Sequence, residues 1–255
     1  MIKWYFLHLF LIAILLMARF FYSTLQLPMW ALYGQDIILV TLVVALFYRE
    51  EKKPKLEFPG IGILLALIGL FFLEKFFNMY LVKPLLANLD LNVAQSTSAT
   101  LKHSFKDIPI GTPSQVDVHI LWVRRVLYAP ITEEIIMRAL MIGVFLRKGL
   151  NPVYLGIMSI MTFIYLHSSF AYFWQMPMLE HAFLISSYFS TALILVLVYF
   201  KFGIIAAIFL HIVQNLVVFL SVHDHYSVIS VMMMVGLISI AYQLITKIVQ
   251  RNKLA

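Results

Sequence analysis

Apolar residues run along this chain in long unbroken blocks, not in the one-sided stripes or strict alternation of water-soluble helices and strands. "WYFLHLFLIAILLMARFF" (4–21) and "IIAAIFLHIVQNLVVFLSV" (204–222) are typical blocks. A helix needs roughly 20 such residues to cross a hydrocarbon core about 30 Å thick. Segments of that kind fall near 4–22, 29–48, 60–81, 120–146, 152–173, 182–200, 203–222 and 228–246. Because the blocks are continuously apolar and each must satisfy its own backbone in lipid, helices are expected over a barrel. The pattern predicts an all-α fold, a polytopic transmembrane helical bundle with about eight spanning helices, forming one membrane domain over 1–255. The first block follows Lys3 and leads to no A-x-A cleavage site, so it reads as a retained helix. The one sizeable polar insertion, 82–119, reads as a partly helical loop or a lid.

Composition agrees with this picture. Hydrophobic residues make up 62% of the chain and charged ones 12%, which excludes an ordinary soluble domain. The net charge of +7 would fit nucleic acid only if it were clustered on one surface, and it is not. Arg49, Lys52, Lys53, Lys55, Arg147, Lys148, Lys201, Lys247, Arg251 and Lys253 fall in alternate connections and at the end, while 23–28, 174–181 and 223–227 hold no Lys or Arg. By the positive-inside rule the basic side, with both termini, is cytoplasmic. Lys83, Lys102 and Lys106 in the long loop are the exception. The expected location is therefore a multi-pass position in a cell membrane, of bacterial type, with the lipid bilayer as a partner and no nucleic acid. Cysteine is absent, so thiolate chemistry and disulfides are excluded.

Against that apolar background the buried polar groups stand out. Ionisable residues inside spanning helices are costly and usually face a bundle interior, a cavity or each other. The fourth block carries Glu133, Glu134 and Arg138, the fifth Phe163 and His167, and the seventh His211 and Asn215. Glu134 and Arg138 are four apart and share a helix face, whereas Glu133 is turned about 100° away at roughly 3.6 residues per turn. One carboxylate is then held by the arginine while the other stays available. Counted from the cytoplasmic ends at about 1.5 Å per residue, Glu133 lies roughly 21 Å deep, His167 about 22 Å, Asn215 about 18 Å and His211 about 12 Å. Three helices can thus line one cavity. Taken singly, each His or Asn reads as interhelical hydrogen-bonding glue and Glu134 with Arg138 as a structural ion pair. A carboxylate, two imidazoles and a carboxamide together point beyond glue. Glu74 and Lys75, near the outer end of the third block, read as interfacial anchors.

A buried carboxylate suits a general base, an imidazole can orient water, and a second imidazole with an amide can donate to an oxyanion. There is no H-E-x-x-H, no G-x-S-x-G and no phosphate loop. No metal site is assigned and no cofactor is required on this reading; zinc on Glu133, His167 and His211 stays open as a divalent-metal alternative. The run His223, Asp224, His225 reads as a solvated turn.

"EEIIMR" (133–138), "FIYLH" (163–167) and "HIVQN" (211–215) fit E-E-x-x-x-R, F-x-x-x-H and H-x-x-x-N. In this order, in separate helices, they resemble the CAAX-processing and bacteriocin-processing (CPBP) family of intramembrane proteases, with 120–222 as the catalytic core. The resemblance implies a membrane-associated peptide or protein as substrate and possible duty in bacteriocin immunity or peptide processing. It implies Glu133 and His167 as water-activating residues, His211 and Asn215 as oxyanion donors, and Glu134, Arg138 and Phe163 as supports. Two other classes stay in view: a non-catalytic immunity or scaffold protein, and a proton-coupled transporter, for which no inverted repeat is evident.

Overall fold

A computed structural model describes residues 2–25, 37–38, 41, 59–77, 123–167, 178–222 and 225–252. Among them are seven helices and no strand. They are α1 (Ile2–Leu25), α2 (Ile61–Phe77), the composite α3 (123–147), α4 (Pro152–His167), α5 (Met178–Phe202), α6 (Ile204–Val222) and α7 (Tyr226–Asn252). The fold is all-helical, as the apolar blocks predict. Most of the expected span 29–48, the whole loop 82–119 and the pair His223 and Asp224 lie outside the described residues. Long apolar stretches of spanning length are Ile185–Phe202 in α5 and Tyr226–Thr246 in α7; Ile2–Met17, Pro152–His167 and Ile204–Leu220 are shorter ones.

The chain forms two compact units, each built from two stretches. One comprises 1–57 and 131–207, the other 58–130 and 208–255. In the first, α1 packs on α4, α4 on the latter part of α3, and α5 on α4. His8, Ile12 and Leu15, spaced by four and three, form the inward face of α1, while Phe6, Phe10 and Met17 point outward. Leu155 of α4 and Ala192 and Leu195 of α5 are fully buried, and Gly156 lets Val196 come close enough that an added Cβ would meet its Cγ1 at 3.4 Å.

The α3–α4 connection is a compact stop and restart. Gly149 takes φ +83, and the amides of Gly149 and Leu150 bond back to the carbonyls of Leu146 and Phe145 at 3.1 and 3.2 Å. This left-handed closure of the last turn favours a residue without Cβ. Asn151 then caps α4, its Oδ1 accepting the amides of Val153 and Tyr154 at 2.8 and 3.2 Å, and Pro152 fills the first helical position, where no amide is needed.

In the second unit α7 lies along α2. A Cβ on Gly69 would run into the carbonyl of Gly236, and one on Gly236 into the backbone of Gly69. Ser239 Oγ donates to the carbonyl of Gly62 at 3.2 Å. Lipid offers no hydrophobic drive between helices, so backbones that touch through small residues supply dispersion and hydrogen bonds. The rest of α7 exposes large apolar side chains, Ile238 and Tyr242 each at 67%. Such a surface is untenable in water and ordinary against acyl chains. On α2, Glu74 is buried, with Lys75 Nζ 3.2 Å from its Oε2 and 5.4 Å from the Phe71 ring centre.

Candidate active site

The helix carrying the two glutamates does not wind uniformly. Val123–Tyr128 and Ile135–Val144 are π-helical, closed by i→i+5 bonds, and Ala129–Glu134 between them is α-helical. Wide turns inside helices cluster at functional sites because they shift carbonyls out of register and make them available to other groups. Pro130 has no amide to close the wide turn onto Arg125, and the Arg125 carbonyl accepts Asn215 Nδ2 at 2.9 Å. The Met137 carbonyl accepts Ser159 Oγ of α4 at 3.3 Å.

Adjacent Glu133 and Glu134 meet opposite surroundings. Glu134 is fully buried, and Arg138 Nη1 donates to its Oε1 at 2.8 Å. The pairing anticipated from the four-residue spacing is present. Phe163 completes that corner: the Arg138 guanidinium carbon stands 5.2 Å from its ring centre. Arg138 Nε and Nη2 have no hydrogen-bond partner among the described residues, so the ring's face is the compensation available there. Glu133 by contrast keeps 34% of its side-chain surface exposed, and its Oε2 lies 3.4 Å from His167 Nε2.

His167 is held on three sides. Its Nδ1 lies 2.9 Å from the Phe163 carbonyl, Phe163 stacks on its ring at 4.0 Å, and Tyr188 of α5 flanks it at 5.3 Å. A carbonyl only accepts, so Nδ1 carries a proton and donates. In the neutral ring Nε2 is then an acceptor, and it faces a carboxylate oxygen. The arrangement sets a carboxylate close to an imidazole, both side chains partly exposed, beside a dry, braced ion pair.

Within the first unit the structure brings together Glu133 with His167, Glu134 with Arg138, and Phe163 with both Arg138 and His167. His211, buried, and Asn215, bound to Arg125, stand on α6 in the second unit. Sequence reasoning missed Ser159, Tyr188 and the role of Pro130. It also missed His8 of α1, fully buried with Nε2 2.9 Å from the Met141 carbonyl. A signal for His8 existed, since an ionisable group in an apolar span is a candidate by position alone.

A catalytic zinc usually takes three protein ligands. Among the described residues no three His, Asp or Glu side chains are placed to hold a metal ion, and Glu133 and His167 make only two. His211, the third donor of the zinc alternative, stands on α6 in the second unit.

Comparison with curated proteins and with solved structures finds no match. Residues 115–217 match the Rce1-like family, described as type II CAAX prenyl endopeptidase Rce1-like. With the long apolar helices α5 and α7, that match makes this a membrane protein. The matched stretch holds all three motifs and supports the resemblance to the CPBP family of proteases.

Proposed function

We propose that the chain is an intramembrane endopeptidase that hydrolyses a peptide bond in a membrane-associated protein or peptide, using water activated by Glu133 and His167. The carrying observation is their 3.4 Å approach, partly open to solvent, beside the buried Glu134–Arg138 pair. Glu133 takes a proton from water as the oxygen attacks the scissile carbonyl. His167, fixed by the Phe163 carbonyl, orients that water and passes the proton toward the departing amine. By the motif resemblance alone, His211 and Asn215 are assigned as donors to the tetrahedral oxyanion, which collapses to a carboxylic acid and a free amine.

The family description supports a prenylated C-terminal peptide as the substrate class. The multi-pass, bacterial-membrane arrangement with cytoplasmic termini belongs to the same proposal. Its support is interfacial: Lys3 and Lys148 stand 5.5 and 5.4 Å from the ring centre of Trp4, joining the start of α1 to the α3–α4 turn in one aromatic and basic cluster.

The test uses purified full-length protein in lipid nanodiscs and a fluorogenic peptide ending in a prenylated CAAX sequence. Wild type cleaves, and Glu133→Gln and His211→Ala each lose most of the rate. Cleavage surviving in both variants would reject the assigned mechanism. Activity that follows one tightly bound metal per chain, lost and restored with it, would replace water activation by Glu133 and His167 alone.

A further inference from the structure

The family match begins at residue 115 and leaves α1 outside it. Yet α1 reaches the helix that carries the glutamates through one side chain. His8 is fully buried, its Nε2 lies 2.9 Å from the Met141 carbonyl, and its Nδ1 lies 3.2 Å from the Tyr154 hydroxyl. The carbonyl accepts, so Nε2 bears the proton, and in the neutral ring Nδ1 accepts from Tyr154. Phe145 and Tyr154 pack edge-on against the ring at 4.7 and 5.4 Å, which fixes its plane.

Met141 lies in the π-wound stretch Ile135–Val144, at whose end the Phe145 amide turns back to Ile142. A π winding is rare and mostly a single turn long, so one that runs from Ile135 to Val144 calls for groups outside the helix to hold it. In α3 three carbonyls receive side-chain donors from three other helices: Arg125 from Asn215, Met137 from Ser159 and Met141 from His8. The last two bracket Arg138. From Arg138 the contacts run on without a break, through Phe163 beneath its guanidinium, to His167 stacked on Phe163, to Glu133.

On this ground we infer that His8 is a positioning residue for the Glu133–His167 pair, acting by holding the Met141 carbonyl and so the π winding on which Arg138 is mounted. The role rests on the peptidase reading for its effect on rate, and on geometry alone for its effect on the pair. Removing the donor lets 135–144 rewind toward i→i+4 closure, which turns Arg138 away from Glu134 and Phe163 and unseats His167.

Full-length protein in nanodiscs decides it with two readouts. In the first, His8→Phe keeps an aromatic ring without a donor, and His8→Gln restores an N–H at similar reach. With the prenylated peptide, His8→Phe loses kcat by about tenfold or more at unchanged KM, as for a small misplacement of reacting groups, and His8→Gln recovers most of it. In the second, carbonyl-13C methionine with 15N isoleucine marks Met141, because Met-Ile occurs only at 1–2 and 141–142; His167 is followed by its ring 15N resonances. Both the Met141 and His167 signals move in His8→Phe and return in His8→Gln. If His8→Phe shifts Met141 while kcat and the His167 signals stay at wild-type values, His8 only fastens helices and the inference is overturned. Should wild type fail to cleave the peptide, the peptidase reading falls and the His167 signals still decide the positioning role. If His8→Phe does not fold, Tyr154→Phe removes the hydroxyl facing Nδ1 without opening a cavity. It is expected to move the same signals less, and unmoved signals would likewise overturn the inference.

Discussion

α3 and α7 invert each other. The first buries Glu134 and Arg138 completely, while the second exposes Ile238 and Tyr242 at 67% each. In water this distribution would unfold a protein; in a bilayer it is the economical one, because acyl chains solvate apolar side chains and polar groups must find partners inside. Their packing differs accordingly. α7 meets α2 by bare backbone at Gly69 and Gly236, whereas α3 meets its neighbours through hydrogen bonds to its own carbonyls and through the Arg138 guanidinium set against the Phe163 ring. The lesson is that the helix devoted to chemistry is held by specific polar donors and the helix devoted to lipid by shape.

The contrast can be broken at several points. The largest effect belongs to the ion pair: Arg138→Ala strands a buried carboxylate and is expected to cost about 3–5 kcal/mol in reversible unfolding in detergent. Glu134→Leu with Arg138→Met should recover much of that stability while activity stays lost; a double variant as unstable as the single one would deny that the charges are mutually compensating. Next, Glu133→Gln should lower cleavage by about 10²–10⁴-fold and leave the unfolding midpoint nearly unchanged, since its side chain is a third exposed. A collapse in stability there would recast Glu133 as structural.

At the lipid-facing helix, Gly236→Ala should cost about 1–3 kcal/mol by overpacking against Gly69, and unaltered stability would show that the α2–α7 crossing is looser than described. Asn151→Ala removes the cap of α4 and should cost about 1 kcal/mol, with a small loss of rate as His167 at the far end of that helix follows. The smallest effect is expected on the exposed face of α7, where Ile238→Leu should change unfolding by less than about 0.5 kcal/mol. A larger change would mean that this face meets protein as well as lipid.

Much of this was legible in the residues, and the illegible part has a common cause. The apolar blocks anticipated an all-helical fold, though not a confirmed count of eight spans, and the four-residue spacing anticipated the Glu134–Arg138 contact. Asn151-Pro152 after Gly149 marks a helix stop and restart that can be read by eye. Glu74 and Lys75 were expected to anchor at the interface; instead Glu74 is buried with Lys75 beside it, because a neighbouring cation lets a carboxylate turn inward. His8 sat in a span that looked generic, since nothing in its local sequence reveals a partner 133 residues away.

The residue order by itself determined where helices form and which side chains share a face, since both follow from local geometry and hydropathy. Only tertiary structure decided how α3 winds, because a π turn survives where donors from other helices meet its displaced carbonyls, and those donors come from positions 8, 159 and 215. It also decided which of two adjacent glutamates is braced and which is open. That choice depends on where Phe163 and His167 of α4 arrive, and no spacing within α3 encodes it.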